Sequence, residues 1–148
     1  YITDLNFIRF LYNLTELDLG SNKIEIIKNN TFANLNKLRI LKLAINRIID
    51  IEQDGFKNLN KLSILLLFNN KLKSFETKNS NELINLTFLD LKNNLIYKVK
   101  INNLTKLNNL FLSGNKLELL HEDYFKELVN LQKLDLSENV LKKIHPYT

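Results

Sequence analysis

The chain repeats one string of residues, Leu-x2-Leu-x2-Leu-x-Leu-x2-Asn, along its whole length. The string ends at intervals of 24, 24, 24, 21 and 24 residues on Asn22, Asn46, Asn70, Asn94, Asn115 and Asn139, which we call the ladder asparagines. A fixed period of this size indicates a solenoid, in which each unit buries its apolar side only against its neighbours. We therefore expect a single array over 1–148, with a partial repeat at 1–10 and about six repeats over 11–148.

The spacing inside each repeat favours a strand over a helix. Leucines three residues apart can resemble the apolar stripe of an amphipathic helix. The following Leu-x-Leu step has a period of two, however, and only a strand places both of these leucines on one face. Stacked repeats would pair such strands in parallel. The asparagine comes where the chain leaves the strand, and there its amide can satisfy buried backbone groups of its own and the adjoining turn.

A phenylalanine late in most repeats predicts a second, wider apolar layer behind the strands. Phe32, Phe56 and Phe125 occupy this position, while the third repeat has Ser80 instead. The third repeat should therefore pack more loosely on this side. The fourth repeat is three residues shorter than the others, so its late part is also atypical.

These features together resemble the "typical" subfamily of leucine-rich-repeat proteins. The resemblance implies an α/β fold, a curved right-handed solenoid with a parallel sheet on its concave face and a mostly irregular or 3-10 convex face. The same pattern is found in Toll-type receptor ectodomains and other extracellular leucine-rich-repeat proteins. By resemblance, the chain would belong to a secreted or cell-surface receptor of the immunity or adhesion type. Its partner would be a protein ligand or co-receptor, or a second subunit in a homo- or heterodimer.

The ends of the chain do not carry the cysteine-rich caps that flank many such arrays. The pattern is entered and left in the middle of a repeat. Because solenoids need polar caps for solubility, we interpret the chain as an internal fragment of a longer array.

Residues six, four and two positions before each ladder asparagine should point outward from the strands. We call this outward side the sheet face. Its centre is apolar and its borders are charged, which is the anatomy of a protein interface. None of these side chains is needed for the core, so they are free to serve recognition. The predicted partner-binding residues are Ile40, Lys42, Ile64, Leu66, Phe68, Phe88, Asp90, Lys92 and Phe111.

Recurring basic residues raise the alternative of a polyanion binder, for example of a glycosaminoglycan, and the net charge is +5. Cations follow the ladder asparagine at Lys23, Arg47, Lys71 and Lys116, and precede the strand at Lys37, Lys61 and Lys106. Repetition would stack each set into a column along one edge of the sheet. Aromatic residues are not interleaved with these lysines as in single-strand binders, so we expect no specific nucleic acid.

Four glycosylation sequons begin at Asn13, Asn29, Asn85 and Asn103, a mild excess over chance that favours a secreted protein. The alternative is an intracellular, cytoplasmic scaffold or regulatory subunit that uses the same sheet face. The chain has no cysteine, which excludes disulfides and cysteine-based metal sites within it.

The sequence offers no arrangement of residues suited to catalysis. His121 and His145 lie 24 residues apart because the repeat places them there, and no third ligand accompanies them. We therefore expect no metal site, no cofactor and no enzymatic activity. The chain also lacks a run of 18 apolar residues, so we expect no membrane span within it.

Overall fold

The computed structural model describes residues 1–77 and 82–144. Over these residues the chain is a stack of repeats built from short parallel strands, which confirms the expected leucine-rich-repeat solenoid. The helices of the described residues are 3-10 helices at Asn6–Phe10 and Glu122–Tyr124. No helix among them is long and apolar enough to cross a bilayer.

The main sheet contains six parallel strands, one from each Leu-x-Leu step. They are β1 (Glu16–Asp18), β3 (Ile40–Lys42), β5 (Ile64–Leu66), β7 (Phe88–Asp90), β9 (Asn109–Phe111) and β11 (Lys133–Asp135). The strands pair without a register shift, so that Leu41 lies beside Leu65 and Leu65 beside Leu89. These central leucines are fully buried, whereas the residues on either side of them face outward. This is the alternation that the period-two step requires.

A second series of strands runs along the opposite side of the solenoid, where the sequence predicted mostly irregular chain. It comprises β2 (Ile26–Ile27), β4 (Asp50–Ile51), β6 (Ser74–Glu76), β8 (Lys98–Lys100), β10 (Leu119–Leu120) and β12 (Lys143–Ile144). They form three separate parallel pairs, β2 with β4, β6 with β8, and β10 with β12. Because each strand has only two or three residues, no periodic signal in the sequence reveals it.

The core lies between these two series of strands. Phe32 and Phe56 are buried there, with their rings stacked 6.4 Å apart. Phe125 is partly buried against the same core. Ser80, the residue expected to loosen the third repeat, lies outside the described residues.

The ladder asparagines join each repeat to the one before it. The side-chain amide nitrogen of Asn46 donates to the Leu19 carbonyl of the preceding repeat at 2.9 Å and to the Leu43 carbonyl of its own turn at 3.1 Å. Its side-chain carbonyl accepts the Ile24 N–H at 3.0 Å. Asn70, Asn94, Asn115 and Asn139 make the equivalent bonds. A buried backbone group left without such a partner would cost about 1–3 kcal/mol.

The short fourth repeat leaves this ladder unbroken. Asn115 donates to the Leu91 carbonyl at 3.0 Å and accepts the Ile96 N–H at 2.9 Å. Strand β9 pairs with β7 in the usual register, Leu110 beside Leu89. The three missing residues are therefore lost from the side opposite the main sheet.

Candidate functional site

The centre of the sheet face is a row of apolar side chains that neighbouring strands place side by side. Ile40 lies beside Ile64 in the strand register, and Ile64 lies beside Phe88. Strands are about 4.8 Å apart, so the row is about 10 Å long. All three side chains are half-buried. They point away from the core, and the fold alone does not require them to be apolar.

Leu66 and Phe68 extend this row toward the ends of the strands. Leu66 lies between Lys42 and Asp90 in the register of the three central strands. Phe68 follows two residues later, and both side chains are half-buried. We call the set Ile40, Ile64, Leu66, Phe68 and Phe88 the apolar strip. Five of the nine predicted partner-binding residues therefore form one continuous surface.

Phe111 has a different environment from the apolar strip. Its side chain is only 7% exposed. Its ring lies 5.2 Å from that of Phe88, centroid to centroid. The Lys92 ammonium lies 4.4 Å from the Phe111 ring centre and the Lys133 ammonium 5.2 Å from it. Two cation–π contacts therefore cover a residue that the sequence assigned to partner binding. Phe111 packs against Phe88 and presents little solvent-exposed surface of its own.

Ion pairs border the apolar strip on its N-terminal side. The Lys42 ammonium lies 2.5 Å from a Glu16 carboxylate oxygen and 3.8 Å from one of Asp18. Its hydrogen bond to Glu16 raises the pKa of Lys42 above its ordinary value. Lys42 therefore lies beside the strip with its charge already matched by carboxylates of the preceding strand.

Asp90 and Lys92 also make contacts within the sheet face. One Asp90 carboxylate oxygen accepts the Lys92 N–H at 3.0 Å, and burial raises the pKa of Asp90. The Lys92 ammonium lies 3.9 Å from the Asp135 carboxylate. Hydrogen bonds from Ser137, the hydroxyl foremost, lower the pKa of Asp135.

The Asp90 carboxylate belongs to a recurring turn that the sequence analysis did not recognise. Asp18 accepts the Gly20 N–H at 2.9 Å, and Asp135 accepts the Ser137 N–H at 3.1 Å. In all three cases the aspartate stands four residues before a ladder asparagine and caps the end of its strand. The recurrence at one register position was the available signal for this structural role.

The two sets of basic residues lie at opposite ends of the strands. In the set before the strand, Lys37 and Lys106 donate to the side-chain carbonyls of Asn13 and Asn85 at 2.8 Å and 2.6 Å. In the set after the ladder asparagine, the Lys23 ammonium lies 4.2 Å from the Tyr1 ring centre. The two columns are therefore separate surfaces.

Three of the four sequon asparagines have exposed side chains, namely Asn13, Asn29 and Asn103. Asn85 is half-buried, and its amide nitrogen donates to the Asn60 carbonyl at 2.6 Å. Asn85 is therefore less accessible to modification than the other three.

A depression of about 110 Å³ lies on the side opposite the main sheet, and none of the predicted site residues lines it. Its apolar lining includes Ile51, Phe56, Phe75 and Leu83, and its acidic lining includes Asp50, Glu52, Glu76 and Glu82. Glu76 pairs with Lys98 at 2.8 Å, and Glu52 accepts the Asn29 N–H at 2.7 Å. These two carboxylates therefore serve contacts between neighbouring repeats.

Within residues 1–77 and 82–144, no group of three or more His, Cys, Asp or Glu side chains is arranged to hold a metal ion. His121 is exposed, and His145 lies outside the described residues.

Comparison with solved structures relates this solenoid to receptor proteins. The solenoid matches the structure of a TLR13–ssRNA13 complex over 93% of the chain, with a TM-score of 0.83 and 30% sequence identity. Over 86% it matches an octameric complex of Latrophilin 3, Unc5D and FLRT2, in which FLRT2 contributes the leucine-rich repeats (TM-score 0.76, 29% identity). Over 90% it matches the ectodomain of the plant receptor kinase GASSHO1/SCHENGEN3 from Arabidopsis thaliana, in complex with CASPARIAN STRIP INTEGRITY FACTOR 2 (TM-score 0.73, 29% identity).

The chain spans 21%, 40% and 16% of the length of these three proteins. A search of curated proteins found no match. The family model described as "Leucine rich repeat" matches residues 2–48, 36–96 and 102–148, which together cover most of the chain. With the ladder and the six-stranded parallel sheet, this match identifies the chain as a member of the leucine-rich-repeat family.

Proposed function

We propose that this chain is a non-catalytic protein-recognition module that binds a protein ligand through the sheet face, as part of a secreted or cell-surface receptor. The observation that carries the proposal is the apolar strip. It joins three neighbouring strands, points away from the core and is bordered by charged side chains. An apolar centre with a polar rim is typical of protein interfaces.

The receptor setting is supported by the solved structures that the chain resembles. Two of them hold a protein or peptide factor together with leucine-rich repeats, and the third holds a single-stranded RNA. The apolar strip favours a protein ligand for this chain, because its centre offers aliphatic and aromatic surface and its border cations are matched by neighbouring carboxylates or lie over an aromatic ring. An intracellular scaffold would use the same strip, so the ligand class does not depend on the compartment.

The direct test places charge in the middle of the apolar strip. Leu66→Asp with Phe88→Asp should leave the fold intact, because both side chains point outward, as a circular dichroism spectrum would verify. The wild-type chain is immobilised and exposed to the extracellular proteins of its native source. Mass spectrometry then measures the enrichment of each captured protein, and we expect the double variant to lose about tenfold or more of it.

The matched control adds two carboxylates elsewhere in place of exposed apolar residues, Val129→Asp with Val140→Asp. This variant should capture the partner as the wild type does. Full capture by the strip variant would show that the ligand does not bind through the apolar strip.

The secreted setting has a separate test in the intact mass of the protein from its native source, before and after treatment with an N-glycosidase. We expect a loss of mass on treatment, with glycopeptides at Asn13, Asn29 or Asn103 in preference to Asn85. A protein without glycans would favour the intracellular scaffold and leave the sheet-face proposal standing.

A further inference from the structure

A second outward surface lies beyond the ladder asparagines. In the first five repeats the residue two positions after the ladder asparagine is buried in the core, as for Ile48, Leu72 and Ile96. The residues one and three positions after it point outward on either side of this anchor, in a stretch of extended chain. We call these outward positions the flank. Its first column contains the cations that follow the ladder asparagines, and its second column lies three residues after those asparagines.

Backbone hydrogen bonds link neighbouring repeats along the flank. Lys71 N–H donates to the Ile48 carbonyl at 2.9 Å, and Leu95 N–H to the Leu72 carbonyl at 2.9 Å. In the second column, Tyr97 N–H donates to the Lys73 carbonyl at 3.0 Å. Successive repeats are therefore spaced like paired strands, about 4.8 Å apart.

The second, third and fourth repeats concentrate cations and apolar side chains on this surface. The flank patch consists of Arg47, Ile49, Lys71, Lys73, Leu95 and Tyr97. Exposed fractions are 50% for Ile49, 42% for Leu95 and 60% for Tyr97. Two lysines in the third repeat are thus bracketed by apolar residues of the repeats before and after them.

In the part of the chain that the structure describes, the cations of the flank patch are not matched by carboxylates. None of the ion pairs within residues 1–77 and 82–144 includes Arg47, Lys71 or Lys73. Elsewhere on the flank, Glu118 is paired with Lys142 at 3.1 Å. This contrasts with the sheet face, where Lys42 and Lys92 both have carboxylate partners.

We propose that the flank patch is a second docking surface, separate from the sheet face, for an acidic protein segment that also carries apolar side chains. Carboxylates would pair with Arg47, Lys71 and Lys73, and apolar side chains would cover Ile49, Leu95 and Tyr97. A sulfated polysaccharide or a nucleic-acid backbone would match the cations but not the two aliphatic residues. With one aromatic ring, the patch also lacks the series of stacking platforms that single-stranded nucleic acids use.

The test is a titration of the isotopically labelled chain followed by amide chemical shifts. The probe is a blocked twelve-residue peptide of four Leu-Glu-Glu units. We expect shifts clustered at 47–49, 71–73 and 95–97. Parallel titrations use four Leu-Gln-Gln units, four Ser-Glu-Glu units and a heparin-derived oligosaccharide, and each should bind more weakly because it lacks either the carboxylates or the apolar groups.

Two variants separate this site from general electrostatics. Lys71→Glu with Lys73→Glu should weaken binding of the Leu-Glu-Glu peptide by about tenfold or more. Lys37→Glu with Lys61→Glu makes the same change of charge at the opposite end of the strands and should leave binding nearly unchanged. Ile49→Ser with Tyr97→Ser should weaken binding of the Leu-Glu-Glu peptide without weakening binding of the oligosaccharide.

Three outcomes would overturn the proposal. Shifts absent from the flank patch, or concentrated on the apolar strip, would mean that the acidic segment does not dock there. Equal loss of binding in both lysine variants would show only a response to net charge. Equally tight binding of the Ser-Glu-Glu peptide and the oligosaccharide would identify a polyanion site instead.

Discussion

The inward and outward sides of the main sheet come from alternate residues of the same six strands, yet their composition follows different rules. Inward, Leu41, Leu65 and Leu89 repeat one residue type and are fully buried. Outward, the first column changes at nearly every strand and reads Glu16, Ile40, Ile64, Phe88, Asn109 and Lys133. The stack restricts the inward side to residues that fit between repeats. The outward side is left free for recognition, which is why one fold can carry many functions.

This division is not complete, because some outward residues also serve the fold. Phe111 is covered by two lysines, and Asp90 caps its own strand. The following substitutions measure where the boundary between structural and free residues lies.

The largest effect should come from the ladder. Asn115 is 1% exposed. Asn115→Ala would leave the Ile96 N–H and the Leu91 and Leu112 carbonyls without their partner. We expect a loss of about 3 kcal/mol in the free energy of unfolding, measured by urea denaturation.

Asn22→Ala is the control for this substitution, since Asn22 holds the same position in the first repeat and is only half-buried. Water can reach the backbone groups that lose their partner when the Asn22 amide is removed, so the loss in the free energy of unfolding should be smaller. Equal losses at the two sites would show that burial does not determine the strength of the ladder.

A smaller effect is expected from Phe111→Ala on the sheet face. Burial of a phenylalanine contributes about 1.5–3 kcal/mol, and we expect a loss within this range in urea denaturation. Phe68→Ala on the same face should cost clearly less, because Phe68 is half-buried. If Phe68 proves the more important of the two for stability, Phe111 is not the supporting residue and belongs with the binding surface.

The smallest effect, and the one most specific to pH, should come from Asp90→Asn. Burial raises the pKa of Asp90 in the folded chain above the ordinary value of 3.8. The folded state therefore holds this proton more tightly than the unfolded state, and ionisation of Asp90 opposes folding at neutral pH. We expect the stability of Asp90→Asn relative to wild type to be greatest near pH 7 and to decrease as the pH falls through the folded-state pKa toward 3.8.

Asp135→Asn should change the pH dependence of stability in the opposite direction. Hydrogen bonds from Ser137 lower the pKa of Asp135 in the folded chain. Ionised Asp135 therefore stabilises the fold at pH values above the ordinary carboxyl pKa. This contribution is lost as the pH falls through the lowered folded-state pKa. Urea denaturation at pH 7, 5, 4 and 3 compares both variants with wild type. A parallel pH response of the two variants would contradict the environments described for these carboxylates.

Much of the molecule could be predicted from the register of the repeats. The positions of the main strands, the side of the chain that each residue occupies and the neighbours in each column all follow from aligning the ladder asparagines. The apolar strip could be assembled from the same alignment. The short strands opposite the main sheet could not, because two or three residues carry no periodic signal.

The role of Phe111 depended on side-chain placement. Its register neighbours are Asp90 and Asp135, which suggests an exposed aromatic ring between two carboxylates. The ring is instead covered by Lys92 and Lys133, whose long side chains reach across from the neighbouring repeats. The flank patch was missed for a different reason, since the residues after the ladder asparagines were read only for their cations and not for the apolar side chains beside them.

The sequence by itself determined the period, the inward leucines, the asparagine ladder and the face on which each strand residue lies. These properties follow from repetition, because a unit that can bury its apolar side only against its neighbours must present the same residues at the same offsets. Only the tertiary structure decided which outward side chains remain accessible and which charges are already matched. Accessibility depends on where flexible side chains from neighbouring repeats come to rest, and residues far apart in the chain make those contacts.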